Sequence, residues 1–213
     1  MVFSYPKNSL EQMPYAYYLE EYQLSNPHEI SIRTQIPYYD TIHAFRIRFL
    51  ERLYEVTYPD FSIRRLDMQS EESPLDNNIY AKIWLLRYLL EGDAVTTSGN
   101  MTSFRDIPSS DMYFPLFLSR CIRRLADSHE NDPDAFDRVI KYLYGVPATY
   151  GDRSCQFELL PGYSVCLILW DGDNEYPPGA QILFSDNFPA VFTAEDTVQI
   201  CEVILDAIEK RCR

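Results

Sequence analysis

The stretch YSVCLILWDGDNEYPPGAQILFSD, Tyr163 to Asp186, decides how the chain folds. An apolar run ends at Trp170, a turn rich in Asp, Gly and Pro follows, and a second apolar run, AQILFS, closes the unit. Short apolar runs bounded by such turn residues read as strands. Val165 to Trp170 is apolar at every position, so both of its faces need cover, which predicts a central strand. CQFELLPGY, leading into it, reads as a further strand. After Asp186, the residues Ile200, Val203, Ile204, Ala207 and Ile208 recur at helical spacing and predict a helix from about Ala194 to Arg211. Thr193 is placed to cap it, and Glu195 and Asp196 suit its positive end.

Upstream of this unit the pattern is helical. Ile79, Ile83, Leu86 and Leu90 mark one amphipathic helix, with Gly92 as a left-handed cap. Phe114, Phe117, Leu118, Cys121, Ile122 and Leu125 mark a second, leaving Arg120, Arg123 and Arg124 off the stripe. A third starts near Asp132-Pro133 and turns Ala135, Phe136, Val139, Ile140 and Leu143 inward. From Tyr38, the residues Ile42, Phe45, Phe49 and Leu53 also step by three and four, which predicts a helix carrying His43. YEVTYPDFSIRRLD alternates around Pro59-Asp60 as a hairpin does, and 67–77 reads as polar linker. Residues 1–36 read as an aromatic-rich arm with one short helix between Pro14 and Pro27, and residues 37–213 as a single domain. The predicted class is α+β: a helical middle, a small and mainly antiparallel sheet towards the carboxy end, and a C-terminal helix.

Composition narrows the function. The net charge of −13 leaves nucleic acid an unfavourable partner, since backbone binding needs clustered cations. The arginines between Arg33 and Arg65 interleave with Asp40, Glu51, Glu55 and Asp60, a pattern of ion-paired faces. No run approaches the ~18 apolar residues of a membrane span. The opening MVFSYPKNSLEQMPY has no basic segment followed by an apolar one, so the expected location is cytoplasmic. The cysteines show no CxxC, and His28, His43 and His129 stand in no metal-ligand spacing. Cys121, Cys166 and Cys201 read as core, and Cys155 as the most exposed thiol. No G-x-S-x-G, G-x-G-x-x-G or Walker loop is present.

The turn after Trp170 is the best lead to function. Asp171, Asp173 and Glu175 alternate, so a continued strand would point all three to one face, where they could hold a hard cation. An EF-hand loop starting at Asp171 is excluded by Tyr176 and Ile182, which stand where its glycine and bidentate glutamate belong. The same carboxylates also serve a solvated hairpin connection, and both readings stay open. The aromatic load, 15% of residues, serves either a pocket for a planar ligand or core and interface.

Trp170-x-x-Asp173-x-Glu175-Tyr176-Pro177, Leu183-Phe184-Ser185-Asp186 and Glu195-Asp196, preceded by Leu160-Pro161 and the FRDIP and MYFPLF segments, resemble the bacterial and archaeal family named domain of unknown function 3786. The resemblance covers about residues 38–208. It implies a link to corrinoid or one-carbon metabolism in anaerobes, where some relatives carry an added cysteine-rich iron-sulfur segment that this sequence lacks. It also implies Trp170, Asp173, Glu175 and Pro177 as a shared ligand site. The leading expectation is a cytoplasmic ligand-binding or accessory protein, with a small-molecule or metal-cofactor ligand or a protein partner. One alternative is a metal-dependent hydrolase or carboxylate acid/base enzyme using Asp173 and Glu175. The other is an interaction module.

Overall fold

The computed structural model describes residues 12–50, 52–67, 75, 78–93, 97–131 and 135–212. Helices and strands are mixed, with two antiparallel sheets whose strands are spread along the chain rather than gathered near the carboxy end. The chain divides into two compact units: the described residues of Met1–Ile47 and Tyr54–Asp93, and those of Arg48–Leu53 and Ala94–Arg213. Among the described residues no helix is long and apolar enough to cross a membrane.

The first unit opens with helices α1 (Gln12–Leu24) and α2 (Pro27–Thr34). The expected irregular arm with a single short helix is therefore corrected over its described part. Both prolines sit in a first helical turn, where the missing N–H breaks no bond. Asn26 caps α2 by accepting from the His28 amide at 2.9 Å. Tyr18 and Tyr22 of α1 are buried, and the Tyr22 hydroxyl donates to the Thr57 carbonyl at 3.1 Å. Helix α3 (Ile79–Glu91) is capped by Asn78, which accepts from the amides of Tyr80 and Ala81. At its other end Arg33 donates to the carbonyls of Leu89 and Gly92, placing a cation on the negative end of the helix. Gly92 is extended rather than left-handed. The expected linker over 67–77 lies almost wholly outside the described residues.

A four-stranded sheet, in the order β1 (Tyr38–Tyr39), β2 (Ala44–Phe49), β3 (Arg52–Thr57), β4 (Ile63–Arg65), replaces the helix expected from Tyr38 to Leu53. AFRIRF buries Phe45, Ile47 and Phe49 and exposes Arg46 and Arg48, a period of two. Phe45 and Phe49 satisfy both periods; Ile47 between two arginines decides for the strand. His43 lies in the turn before β2 with φ 47°. The expected β3–β4 hairpin is present, with Glu55 opposite Arg64 and paired to it at 2.6 Å.

The second unit is built on a five-stranded antiparallel sheet in the order β5 (Met101–Ser103), β9 (Gly179–Ser185), β8 (Tyr163–Trp170), β7 (Arg153–Leu160), β6 (Val146–Pro147). Strand β8 is central, and Val165 to Leu169 are all buried, as two covered faces require. Helix α4 (Ser110–Phe117) runs through a π-helical turn, Leu118–Ile122, into α5 (Arg123–Asn131). Phe117, Cys121 and Leu125 of this run are buried as the stripe predicted. Helix α6 (Ala135–Tyr142) follows; its expected start at 132–134 lies outside the described residues. Helix α7 (Ala194–Cys212) completes the unit. Its capping box is complete: Thr193 Oγ1 accepts from the Asp196 amide, and Asp196 accepts from the Thr193 amide at 2.9 Å. Arg124 forks to Asp206 at 2.7 Å and Glu209 at 2.5 Å on α7.

Phe104 and Phe117 stack at 4.1 Å, and Phe184, Phe188, Phe192 and Tyr163 continue the aromatic core. Each fully buried ring of this kind contributes about 1.5–3 kcal/mol by its removal from water.

Candidate functional site

Strand geometry stops at Trp170, and residues 171–178 are a turn that returns the chain to β9, with Trp170 opposite Gly179. One oxygen of Asp173 accepts from the amides of Glu175 and Tyr176, each at 2.8 Å, and the Asp173 amide donates to the Tyr176 carbonyl at 2.9 Å. Asp173 thus builds a local turn with its own side chain. These two backbone N–H bonds hold its carboxyl below the usual range. A Cβ on Gly172 would lie 2.8 Å from the Pro178 nitrogen, so the turn closes only with glycine there.

A second loop fastens the same end of the sheet. The Asp152 amide donates to the Leu169 carbonyl at 3.0 Å, and its carboxylate accepts from the Asp171 amide at 2.8 Å. Gly151, in the left-handed region at φ 57°, lets this loop approach the Leu169 carbonyl and the Trp170 ring. The result is a turn fixed by backbone bonds from which side chains project: Trp170 is 42% exposed and Tyr176 70%, with Tyr150, Asp171, Asp173, Glu175 and Pro177 exposed around them.

The expected site residues therefore share one turn, but not one coordination sphere. Among the described residues no three His, Cys, Asp or Glu side chains are grouped to hold a metal ion. The alternation of Asp171, Asp173 and Glu175 suggested such a group only if the strand continued, and it does not. Tyr150, Asp152 and Tyr176 were absent from the expected set. Tyr150 and Asp152 arrive through pairing of β7 with β8, in which Arg153 faces Leu169, a long-range register that spacing along the chain does not reveal.

The remaining motif segments are absorbed by the scaffold. In FRDIP, Phe104 and Ile107 are core and Asp106 bonds the Ser103 amide and hydroxyl at 2.8 Å. In MYFPLF, Phe117 is core and the Tyr113 hydroxyl donates to Glu195 at 3.1 Å. Burial, then the Glu195 charge, raises the Tyr113 phenol. In LFSD, Phe184 is core, Ser185 donates to Asn187 at 2.6 Å, and Asp186 accepts from Thr97 at 2.5 Å and from the Ser98 hydroxyl.

Cys121, Cys166 and Cys201 are buried as expected. Cys155 is buried as well, which corrects its reading as an exposed thiol: it lies on β7 with its sulfur against Gly145. Burial, followed by the neighbouring Cys166, pushes its thiol up to about 12, so it is an unreactive core residue at neutral pH. His28 pairs with Asp40 at 3.1 Å on the surface of the first unit.

Two antiparallel sheets with interspersed helices define a mixed α and β protein, and an exposed aromatic and acidic turn stands at the end of the second sheet. The chain belongs to the family described as Domain of unknown function (DUF3786), which it matches over residues 26–207. The match begins at Asn26, the cap of α2, and so takes in part of the N-terminal segment that had read as an arm. No curated protein and no solved structure matches the chain.

Proposed function

We propose that this chain is a non-catalytic binding protein, an accessory to a partner that it recognises through the turn from Trp170 to Pro178. The observation that carries the reading is the division of labour in that turn. Asp173 and Asp152 fix its backbone, while Trp170, Glu175 and Tyr176 project outward. Among the described residues the side chains of Glu175 and Tyr176 make no hydrogen bond or ion pair. A rigid turn presenting a tryptophan and a tyrosine has the features of a binding hot spot, because little conformational entropy is lost on contact.

The acid/base reading draws less support. A general acid or base at neutral pH needs a carboxyl raised towards that pH, and Asp173 is shifted the other way. It stays ionised, which suits recognition of a positive group better than proton transfer.

Native mass spectrometry of the chain purified without oxygen from its own source, read beside metal content and visible absorption, tests the reading. The expected result is a bound mass that is absent from the Trp170→Ala, Tyr176→Ala variant. A bare polypeptide in both samples would overturn it.

A further inference from the structure

The chemistry of the partner, whose existence rests on the binding reading, is narrowed by the surroundings of the turn. Tyr150, Trp170 and Tyr176 are exposed at one end of the sheet, where β6 adds exposed Val146 along the adjoining edge. Large exposed apolar side chains gathered inside a polar rim mark interaction surfaces, whereas scattered ones need no explanation. The rim here is acidic. Asp152, Asp171, Asp173 and Glu175 stand at this end, beside Arg153 opposite Leu169. Two backbone N–H bonds hold the Asp173 carboxyl below the usual range.

A cationic group answers both features at once. Lysine ammonium pairs with a carboxylate but is compact and strongly hydrated. The planar guanidinium of arginine stacks on an aromatic face while its edge donates to carboxylates. We infer that the Trp170 end of the second sheet docks an arginine-bearing segment of a partner protein, held between its exposed aromatic rings and its carboxylates. The charge of the whole chain points the same way, since it carries a net −13. That long-range attraction speeds encounter, and the local contacts select arginine.

The test is calorimetric titration of the full chain with an oligoarginine peptide and with an oligolysine peptide of equal length, at two salt concentrations. Oligoarginine is expected to bind about fivefold more tightly than oligolysine. The preference is expected to disappear in Trp170→Ala, or in Tyr176→Ser should the first variant fold poorly. Binding is expected to weaken in Asp171→Asn, Glu175→Gln and to persist in Asp111→Asn, Asp137→Asn, which removes equal charge from helices α4 and α6. Equal affinity for the two peptides, equal loss in the two charge variants, or no binding would each overturn the inference. If a partner is retained through Trp170 and Tyr176 but is not displaced by oligoarginine, the binding reading stands and the cationic partner falls.

Discussion

Strand β9 has an aspartate beyond each end, and the two do opposite things. Asp186, after its C-terminal end, accepts from Thr97 and Ser98, far away in sequence, and so ties the 97–100 loop to the sheet. The carboxylate of Asp173, before its N-terminal end, accepts from the amides two and three residues ahead and so shapes its own turn. One carboxylate is used up in holding the scaffold together. The other fixes a platform and leaves its neighbours facing water. The difference teaches that an acidic residue near an apolar strand has no role until its partners are known, because the same Asp chemistry serves a tether and a turn alike.

Breaking the tethered end should cost stability in graded steps. Phe184 lies between Phe117 and Phe188 in the core, so Phe184→Ala is expected to lose about 3–5 kcal/mol in urea unfolding, the range for truncating a buried ring. Asn187 is buried, accepts from Ser185 and donates to the Gly162 carbonyl at 2.9 Å. Asn187→Ala removes the acceptor of the buried Ser185 hydroxyl, and an expected loss of about 1–3 kcal/mol would be read from the same transition.

Asp186 supplies a smaller and pH-dependent step. Bonds from Ser98 and then Thr97 hold its folded carboxyl below the ordinary 3.8. A depressed acid adds stability that is fully present above its unfolded value and lost as pH falls through the lower folded value. The unfolding midpoint of Asp186→Asn should therefore lie below that of the wild type at neutral pH, and the two should converge in acid below pH 3.8. A constant gap at all pH values would mean that the loop is held by something other than this charge. At the platform end, Tyr176→Ser is expected to shift stability by less than ~0.5 kcal/mol, as an exposed substitution without partners does.

Much of the second unit was legible in the sequence, for physical reasons that can be named. Val165 to Leu169 has no polar residue to place on a solvent face, so a central strand was the only comfortable solution. Thr193 was legible as the cap and Asp196 as a first-turn acid, and their reciprocal bonds complete a capping box. AFRIRF misled because phenylalanines four apart fit both helix and strand, and tertiary pairing decided between them. Cys155 misled because its strand is covered from the Gly145 side by a segment with no local signal. The acidic turn was legible as a location and not as a mechanism. The carboxylates are where the letters put them, but that Asp173 turns inward on its own backbone, and that Tyr150 and Asp152 join the same end, depends on hydrogen bonds and register.

The most direct test of the central claim, that the Trp170 turn recognises rather than stabilises, measures partner retention and urea unfolding on the same preparations of wild type and the Glu175→Gln, Tyr176→Ser variant, which changes only exposed side chains. The account predicts a lost partner and an unfolding midpoint close to that of the wild type. A clear drop in the midpoint while the partner is retained would contradict it and make the turn part of the scaffold, like the Asp186 end.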